Sequence, residues 1–153
     1  MITFQTESFK KTLPEFAYLL PAHYEELALH KNKVPLQPQW NIYFDREENG
    51  NLIFVTARDS ELNEIVGYFI GFIANGLHYE TCLTCHMDIF YIRKDLRNGR
   101  LGVKLFKFVE AELKKLKVDR WYVGSKSHAD ISSLFKYLGF EQVETTHCKW
   151  LGD

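Results

Sequence analysis

The segment RNGRLG, residues 97–102, has the composition of an anion-binding loop. Glycine lets a ligand approach the backbone closely. A helix that starts here leaves its first N–H groups unpaired, at the positive end of the helix dipole. The surrounding residues 91–120 carry ten Lys and Arg against four Asp and Glu, whereas residues 1–90 carry six against twelve. The segment therefore predicts a site for a small anion such as a phosphate group.

The basic segment has two other interpretations, a solvent-exposed helix face and a nucleic-acid contact. The chain as a whole has a pI near 6.6 and a formal charge of −1. Its acidic first 90 residues would repel a long polyanion, so we expect no nucleic-acid partner.

His86 and Asp88 are the candidate catalytic residues. Both lie in residues 80–92, which predict a long strand. Two-residue alternation would place His86, Asp88, Phe90 and Ile92 on one face of this strand. A histidine with an ordinary pKa near 6.5 suits a proton acceptor, and Asp88 could orient it or act through water. Structural hydrogen bonds at a sheet face are the alternative role for both.

The same strand contains Cys82, Cys85 and His86, in the spacing of a haem-attachment or metal motif. Strand alternation would place the two thiols on opposite faces. The N-terminus, MITFQTESFKKTLPEF, lacks the pattern of an export signal. We therefore expect reduced thiols, no metal and a cytoplasmic protein.

Around these residues the pattern predicts a mixed α/β domain built on one sheet. Strands are predicted at 51–57, 64–74, 80–92, 119–124 and 140–150, with turns at Asp59-Ser60 and Asn75-Gly76. Helices are predicted at about 100–117 and at 129–138, the second ending at Gly139. The four prolines fall in the first quarter, which predicts short helices there. The length of 153 residues fits a single domain, 1–153, and no apolar run reaches 18 residues.

The loop and a downstream segment together resemble the GNAT superfamily of N-acetyltransferases. RNGRLG is similar to the signature Arg/Gln-x-x-Gly-x-Gly/Ala, with Arg97 and Gly102 matching and Arg100 at the usual central glycine. LFKYLGFEQVE, residues 134–144, resembles the second signature. The small bacteriophage-encoded members are the most similar, since they share an RxGRLG-like loop and a terminal Lys-Trp-Leu, here residues 149–151. The resemblance implies an α/β (mixed α+β) fold, with a mostly antiparallel twisted sheet of six to seven strands flanked by about four helices.

The resemblance also implies acetyl-CoA as co-substrate and a small-molecule or peptide amine as acceptor. Backbone groups of residues 90–92 would pair with the pantetheine arm, and the N–H groups of residues 98–103 would hold the pyrophosphate. His86 matches the glutamate base of the histone-acetyltransferase branch. Phe135 falls where many members have a tyrosine acid, and it has no proton to give. The implied cofactor-binding residues are Phe90, Tyr91, Ile92, Arg97, Asn98, Gly99, Arg100, Leu101, Gly102, Val103, Lys104, His128 and Phe135.

The acceptor site is predicted at residues on the early helix and on the hairpin end. These are Glu25, Glu26, His78, Tyr79 and Glu80, for which ordinary exposed polar positions are the alternative. The 23 aromatic residues and the edge strands are compatible with a homodimer. The second candidate function is a catalytically weak protein of the same fold that binds CoA or a protein partner, because Phe135 and Arg100 depart from the family pattern.

Overall fold

A computed structural model describes residues 1–97 and 99–153 of the chain. Its strands are β1 (Ile2–Thr6), β2 (Leu52–Asp59), β3 (Glu64–Gly76), β4 (Tyr79–Ile92) and β5 (Arg120–Tyr122). Its α-helices are α1 (Phe9–Phe16), α2 (Leu20–Leu27), α3 (Trp40–Glu48), α4 (Leu101–Lys115) and α5 (Ser132–Tyr137). Short 3-10 turns cover Ala17–Leu19 and Lys94–Leu96.

The five strands form one sheet in the order β1-β2-β3-β4-β5. Neighbours are antiparallel along β1 to β4, as short hairpin connections require. The pairing of β4 with β5 is parallel, because α4 carries the chain back between them. That pairing is short, since it joins only Thr84, Cys85 and His86 of β4 to β5.

Apolar side chains cover both faces of the sheet. On one face, α4 and α5 pack against β2, β3 and β4 through Phe106, Val109 and Phe135. On the other face, α1 to α3 pack through a group of aromatic rings that includes Phe9, Phe16 and Tyr68. The central strand β3 is buried from Ile65 to Gly71 because it is covered on both faces there.

A buried ion-pair group joins the two N-terminal strands to α1. Arg58 of β2 contacts the carboxylates of Glu7 and Glu15, at 2.9 and 2.8 Å, and is itself 7% exposed. The pKa of Arg58 is raised, mainly by its hydrogen bond to Glu7. This group ties the start of the chain to the sheet.

The prediction of a mixed α/β fold is confirmed, but six to seven strands exceeds the five in the described part of the chain. Residues 140–150, predicted as a strand, form no strand. Between Glu141 and His147 only Val143 is apolar, so a strand here would have no apolar face to pack against the core. β1 was not predicted, although Ile2 and Phe4 alternate with polar residues there.

Smaller differences concern the ends of the elements. Asn75 and Gly76 belong to β3, and the turn falls on Leu77 and His78, because Gly76 pairs with Tyr79. The predicted cap at Gly139 is confirmed by its φ of +89° and by a hydrogen bond from the Phe140 N–H to the Phe135 carbonyl. Among the described residues no helix has both the length and the apolar character of a membrane span.

Candidate active site

A cavity of about 730 Å³ crosses the sheet where β4 and β5 separate. β4 continues for six residues past its last contact with β5, and the gap so formed is lined by residues 87–92. One end of the cavity meets the start of α4 and the segment from Gly124 to Leu134. The other end meets α2, the loop after it and the start of α3. A ligand in the cavity could therefore contact both faces of the fold.

The open edge of β4 offers unpaired backbone groups to this cavity. The Arg93 N–H donates to the Val66 carbonyl at 2.8 Å, which makes this pair a hydrogen-bonded one. Antiparallel pairs alternate, so Tyr91 also directs its N–H and C=O toward β3. The same alternation turns the backbone groups of Phe90 and Ile92 toward the gap, where the Ile92 carbonyl already accepts a hydrogen bond from Arg97 Nε. Of the three residues that we expected to pair with an extended ligand, two therefore present their backbone groups to it.

The start of α4 forms the floor of the cavity at its basic end. Gly99, Gly102 and Val103 line it, and among the described residues no side chain caps the helix. The first-turn N–H groups are therefore free to bind an anion. A Cβ on Gly102 would lie 3.6 to 3.8 Å from Leu134, Ile92 and Phe90, so a larger side chain would intrude on this end of the cavity.

Arg97 connects this loop to the end of β4 and to α2. Its Nε donates to the Ile92 carbonyl at 2.8 Å, its guanidinium binds the carboxylate of Glu26 on α2, and it lies over the ring of Tyr91. The hydrogen bond from Arg97 lowers the pKa of Glu26. Arg97 thus lines the cavity while its donors are engaged by the protein itself.

A β-bulge places Asp88 at the centre of the cavity. Ile70 pairs with Ile89 and Gly71 pairs with Met87, so Asp88 is the extra residue of β4. Its carboxylate accepts a hydrogen bond of 2.5 Å from the hydroxyl of Tyr43 on α3. The bulge interrupts the alternation, and it overturns our prediction that His86, Asp88, Phe90 and Ile92 share one face. Phe90 and Ile92 pack on the α4 face, whereas Asp88 faces α3.

Burial raises the pKa of the Asp88 carboxyl, while the hydrogen bond from Tyr43 and the charge of Arg46 oppose that shift. The pKa of Tyr43 is also raised, by burial and by its bond to Asp88, so Tyr43 keeps its proton. Asp88 is therefore a carboxylate with a strengthened affinity for a proton, in contact with a cavity. That combination is typical of a general base.

His86 does not line this cavity. It is exposed on the sheet face that Asp88 also occupies, and its ring stacks on Tyr122 at 5.0 Å between ring centres. Cys85, the preceding residue in the chain, is buried on the opposite face, so its thiol and His86 do not converge. Stacking is the role that the structure gives to His86.

Several residues that the resemblance implied lie outside the cavity lining. Arg100 and Lys104 are exposed, and Leu101 packs on the α4 core. His128 is exposed in a turn, where Lys126 and Ala129 line the cavity instead. Asn98 lies outside the described residues.

Phe135 is 7% exposed and packs on the rings of Phe106 and Phe140, so it belongs to the core and not to the ligand surface. Tyr137, two residues on, is 65% exposed and does not line the cavity. Neither residue is therefore placed to donate a proton in the cavity.

Of the residues expected to bind the acceptor, Glu26 lines the cavity and the others lie elsewhere. His78, Tyr79 and Glu80 are exposed at the β3–β4 hairpin, where Tyr79 contacts Arg120. Glu25 pairs with Lys31 on the surface, whereas the next residue, Glu26, lines the cavity. The period of a helix explains this, since adjacent residues point about 100° apart.

Sequence reasoning missed the residues that complete the acceptor side, chiefly His23, Trp40 and Tyr43. His23 is buried, with its Nδ1 2.6 Å from the Tyr68 hydroxyl. Burial lowers its pKa to about 4, so it is neutral at pH 7. In the sequence these residues are marked only by their position after prolines in a region predicted to be helical. That position does not predict the contacts of His23 with Tyr68 or of Tyr43 with Asp88, each 45 residues apart.

Comparison with known proteins agrees with this geometry. A model of the Acetyltransferase (GNAT) family matches residues 15–140. No curated protein sequence matches the chain significantly.

Solved structures with the same fold cover almost the whole chain. A ribosomal-protein-alanine N-acetyltransferase from Brucella melitensis biovar Abortus 2308 superposes with a TM-score of 0.77 at 13% identity, over 100% of this chain and 99% of that one. A predicted acetyltransferase from Clostridium acetobutylicum, crystallised with acetyl-CoA, gives 0.74 at 12%, over 99% and 97%. An aminoglycoside acetyltransferase from an uncultured soil metagenomic sample, in complex with sisomicin, gives 0.71 at 14%, over 97% and 96%.

Proposed function

Because the chain belongs to the acetyltransferase (GNAT) family, whose members use acetyl-CoA as co-substrate, we propose that it transfers the acetyl group of acetyl-CoA to an amine. The observation that carries this proposal is the one cavity that joins the start of α4 to the half-buried carboxylate of Asp88. Such a cavity can hold an anionic, extended donor at one end and a cationic acceptor at the other.

The donor side has the features that acetyl-CoA needs. The free N–H groups at the start of α4 suit a pyrophosphate, and Arg97 and Lys126 line the cavity with positive charge nearby. The backbone groups of Phe90 and the N–H of Ile92, whose carbonyl is engaged by Arg97, suit the amide groups of an extended arm, which would bind as an added strand. Arg100, at the usual glycine of the family signature, is exposed and does not fill the loop.

The acceptor side supplies a proton acceptor. An amine with a pKa near 10.4 must lose a proton before it can attack, which costs roughly 4.6 kcal/mol at pH 7. Asp88 is placed to take that proton, directly or through one water molecule, and its raised pKa suits the task. The nitrogen can then form the new C–N bond as the C–S bond of the thioester breaks. The proton that the nitrogen must still lose goes to the leaving thiolate, whose thiol has a pKa near 8.5. Holding both reactants in one cavity contributes more, about 7–11 kcal/mol.

Titration calorimetry with acetyl-CoA tests the donor side. We expect saturable binding by the wild type, a similar affinity for Gly102→Ala, and loss of binding for Gly102→Trp. The alanine variant is the matched control, because its Cβ makes only ordinary contacts at 3.6 Å or more. Equal binding by all three proteins would refute the assignment of the donor site.

Turnover tests the acceptor side and separates an enzyme from a CoA-binding protein without activity. Asp88→Asn keeps the shape of the side chain and can still accept the Tyr43 hydrogen bond, but it cannot take a proton. We expect kcat/KM at neutral pH to fall about 10²–10⁴-fold, with acetyl-CoA affinity unchanged. The absence of turnover with every amine tried, despite acetyl-CoA binding, would favour the binding protein.

A further inference from the structure

We infer that the acceptor is a small amine with one positive charge and an apolar body, not a polycation. This inference rests on the proposed function and concerns the half of the cavity formed by α2, the loop after it and the start of α3. It follows from the charges in that half, from the side chains of its wall, and from the way in which the wall is held.

The acceptor half has one carboxylate that is free to bind a cation. Of the described residues that line the cavity, Glu26 and Asp88 carry carboxylates. Glu26 is engaged by the guanidinium of Arg97 through both of its oxygens. Asp88 accepts one hydrogen bond, from Tyr43 to its Oδ2, which leaves Oδ1 to an ammonium group. The site therefore offers a counter-charge for one ammonium group and not for several.

The other titratable groups nearby would not favour a second positive charge. His23 is neutral at pH 7 because burial lowers its pKa to about 4. Toward the donor end, Arg97 and Lys126 are themselves cationic. A polyamine or an aminoglycoside would bring further ammonium groups into a cavity that pairs only one of them.

The wall around this carboxylate is apolar. It consists mainly of Leu20, Leu27, Leu29, Leu36, Pro38 and Trp40. Leu29 and Leu36 are 48% and 41% exposed, so they have apolar surface that a ligand could cover. An apolar body on the amine would gain about 25 cal/mol for each Å² of such surface removed from water, whereas a sugar or a polyamine chain would gain little.

The wall is held in place by contacts outside the cavity. The Tyr24 hydroxyl donates to the carbonyls of Lys31 and Val34, which fixes the loop after α2. Trp150, near the C-terminus, packs on His30 at 5.1 Å between ring centres. These contacts restrain the wall, and a restrained wall loses less conformational freedom when a ligand binds.

An acceptor panel tests the inference, with release of the CoA thiol and the mass of the acetylated product as readouts. The probes are tryptamine and 2-phenylethylamine, against ethanolamine as the polar amine of equal charge, and against spermidine and kanamycin as polycations. A fourth class is a tetrapeptide that begins with leucine. We expect kcat/KM for the two apolar amines to exceed that for every other probe by about tenfold or more, the discrimination of an apolar pocket.

A pair of loop variants adds a second, independent measurement. Leu36→Asp places a carboxylate on the wall, whereas Val34→Asp places one two residues away, at a position of similar exposure that does not line the cavity. We expect Leu36→Asp to lower kcat/KM for tryptamine about tenfold and to raise the use of spermidine relative to tryptamine. Val34→Asp should leave both rates within about twofold of the wild type.

The outcomes distinguish this inference from the proposed function. If the wild type binds acetyl-CoA but prefers spermidine, kanamycin or the peptide, or if Leu36→Asp and Val34→Asp behave alike, the inference is overturned and the acetyltransferase proposal stands. If acetyl-CoA is bound and no apolar amine is acetylated, the inference is overturned as well. If acetyl-CoA itself fails to bind, the proposed function fails first.

Discussion

The hydrogen bond from Tyr43 to Asp88 should set the pH at which the protein becomes active. The Tyr43 hydroxyl donates to the carboxylate at 2.5 Å and so favours its ionised form. Tyr43→Phe removes this bond, and the pKa of Asp88 should rise further. A hydrogen bond to a charged group is worth about 1.5–3 kcal/mol, and one pKa unit corresponds to about 1.36 kcal/mol. The expected rise is therefore about 1–2 units.

The pH dependence of kcat/KM measures this shift. Asp88 must be ionised to accept a proton, so activity is lost as the pH falls through its pKa. In Tyr43→Phe the acidic limb of the profile should therefore move to higher pH by about 1–2 units. Tyr18→Phe is the matched control, because it also deletes one hydroxyl, which donates to the Ile65 carbonyl at 2.8 Å away from the cavity. An unmoved acidic limb in Tyr43→Phe, or the same shift in Tyr18→Phe, would refute the role of Asp88.

Three stability predictions follow from other buried groups, all measurable by urea unfolding. His23 is held neutral in the folded state with a pKa of about 4 but titrates near 6.5 when unfolded, so between pH 7.5 and 4.5 the wild type should lose about 2–3 kcal/mol more stability than His23→Gln. Arg58→Ala leaves its two glutamate partners without a cation and should cost about 3 kcal/mol, whereas Lys114→Ala, in an exposed helix pair, should cost less than about 0.5 kcal/mol. Gly71→Ala would place a Cβ 2.7 Å from the Cys85 sulfur and should cost about 1–3 kcal/mol. The first prediction is contradicted if stability depends on pH in the same way in the wild type and in His23→Gln. The second is contradicted if Arg58→Ala and Lys114→Ala lose equal stability, and the third if Gly71→Ala is as stable as the wild type.

The anion-binding end of the cavity was predictable from the sequence because its features are local. Glycines, basic residues and the start of an amphipathic helix lie within residues 97–117, and the structure forms the helix there, from Leu101 to Lys115. Asp88 was named on another ground, its place two residues after His86 on the strand that runs into the loop. The loop sequence did not predict the contact between Arg97 and Glu26, because Glu26 lies 71 residues earlier in the chain.

The acceptor end was not predictable because it depends on contacts between distant segments and on an irregularity of β4. Strict alternation put His86 and Asp88 together with Phe90 and Ile92, and a single bulge residue moved Asp88 to the opposite face from Phe90. The contact between Tyr43 and Asp88 joins residues 45 apart. The resemblance to a family indicated the end of the cavity that we propose for the donor. It did not indicate the wall of the other end, which α2, the loop after it and the start of α3 form without a sequence motif.

A crystal structure with a non-hydrolysable acetyl-CoA analogue tests the central claim most directly. The account predicts the pyrophosphate at the N–H groups of residues 101–103, the extended arm along the open edge of β4 at Phe90 and Ile92, and the acyl carbon facing Asp88. An analogue bound elsewhere on the chain, or bound in this cavity with its acyl group turned away from Asp88, would contradict the account.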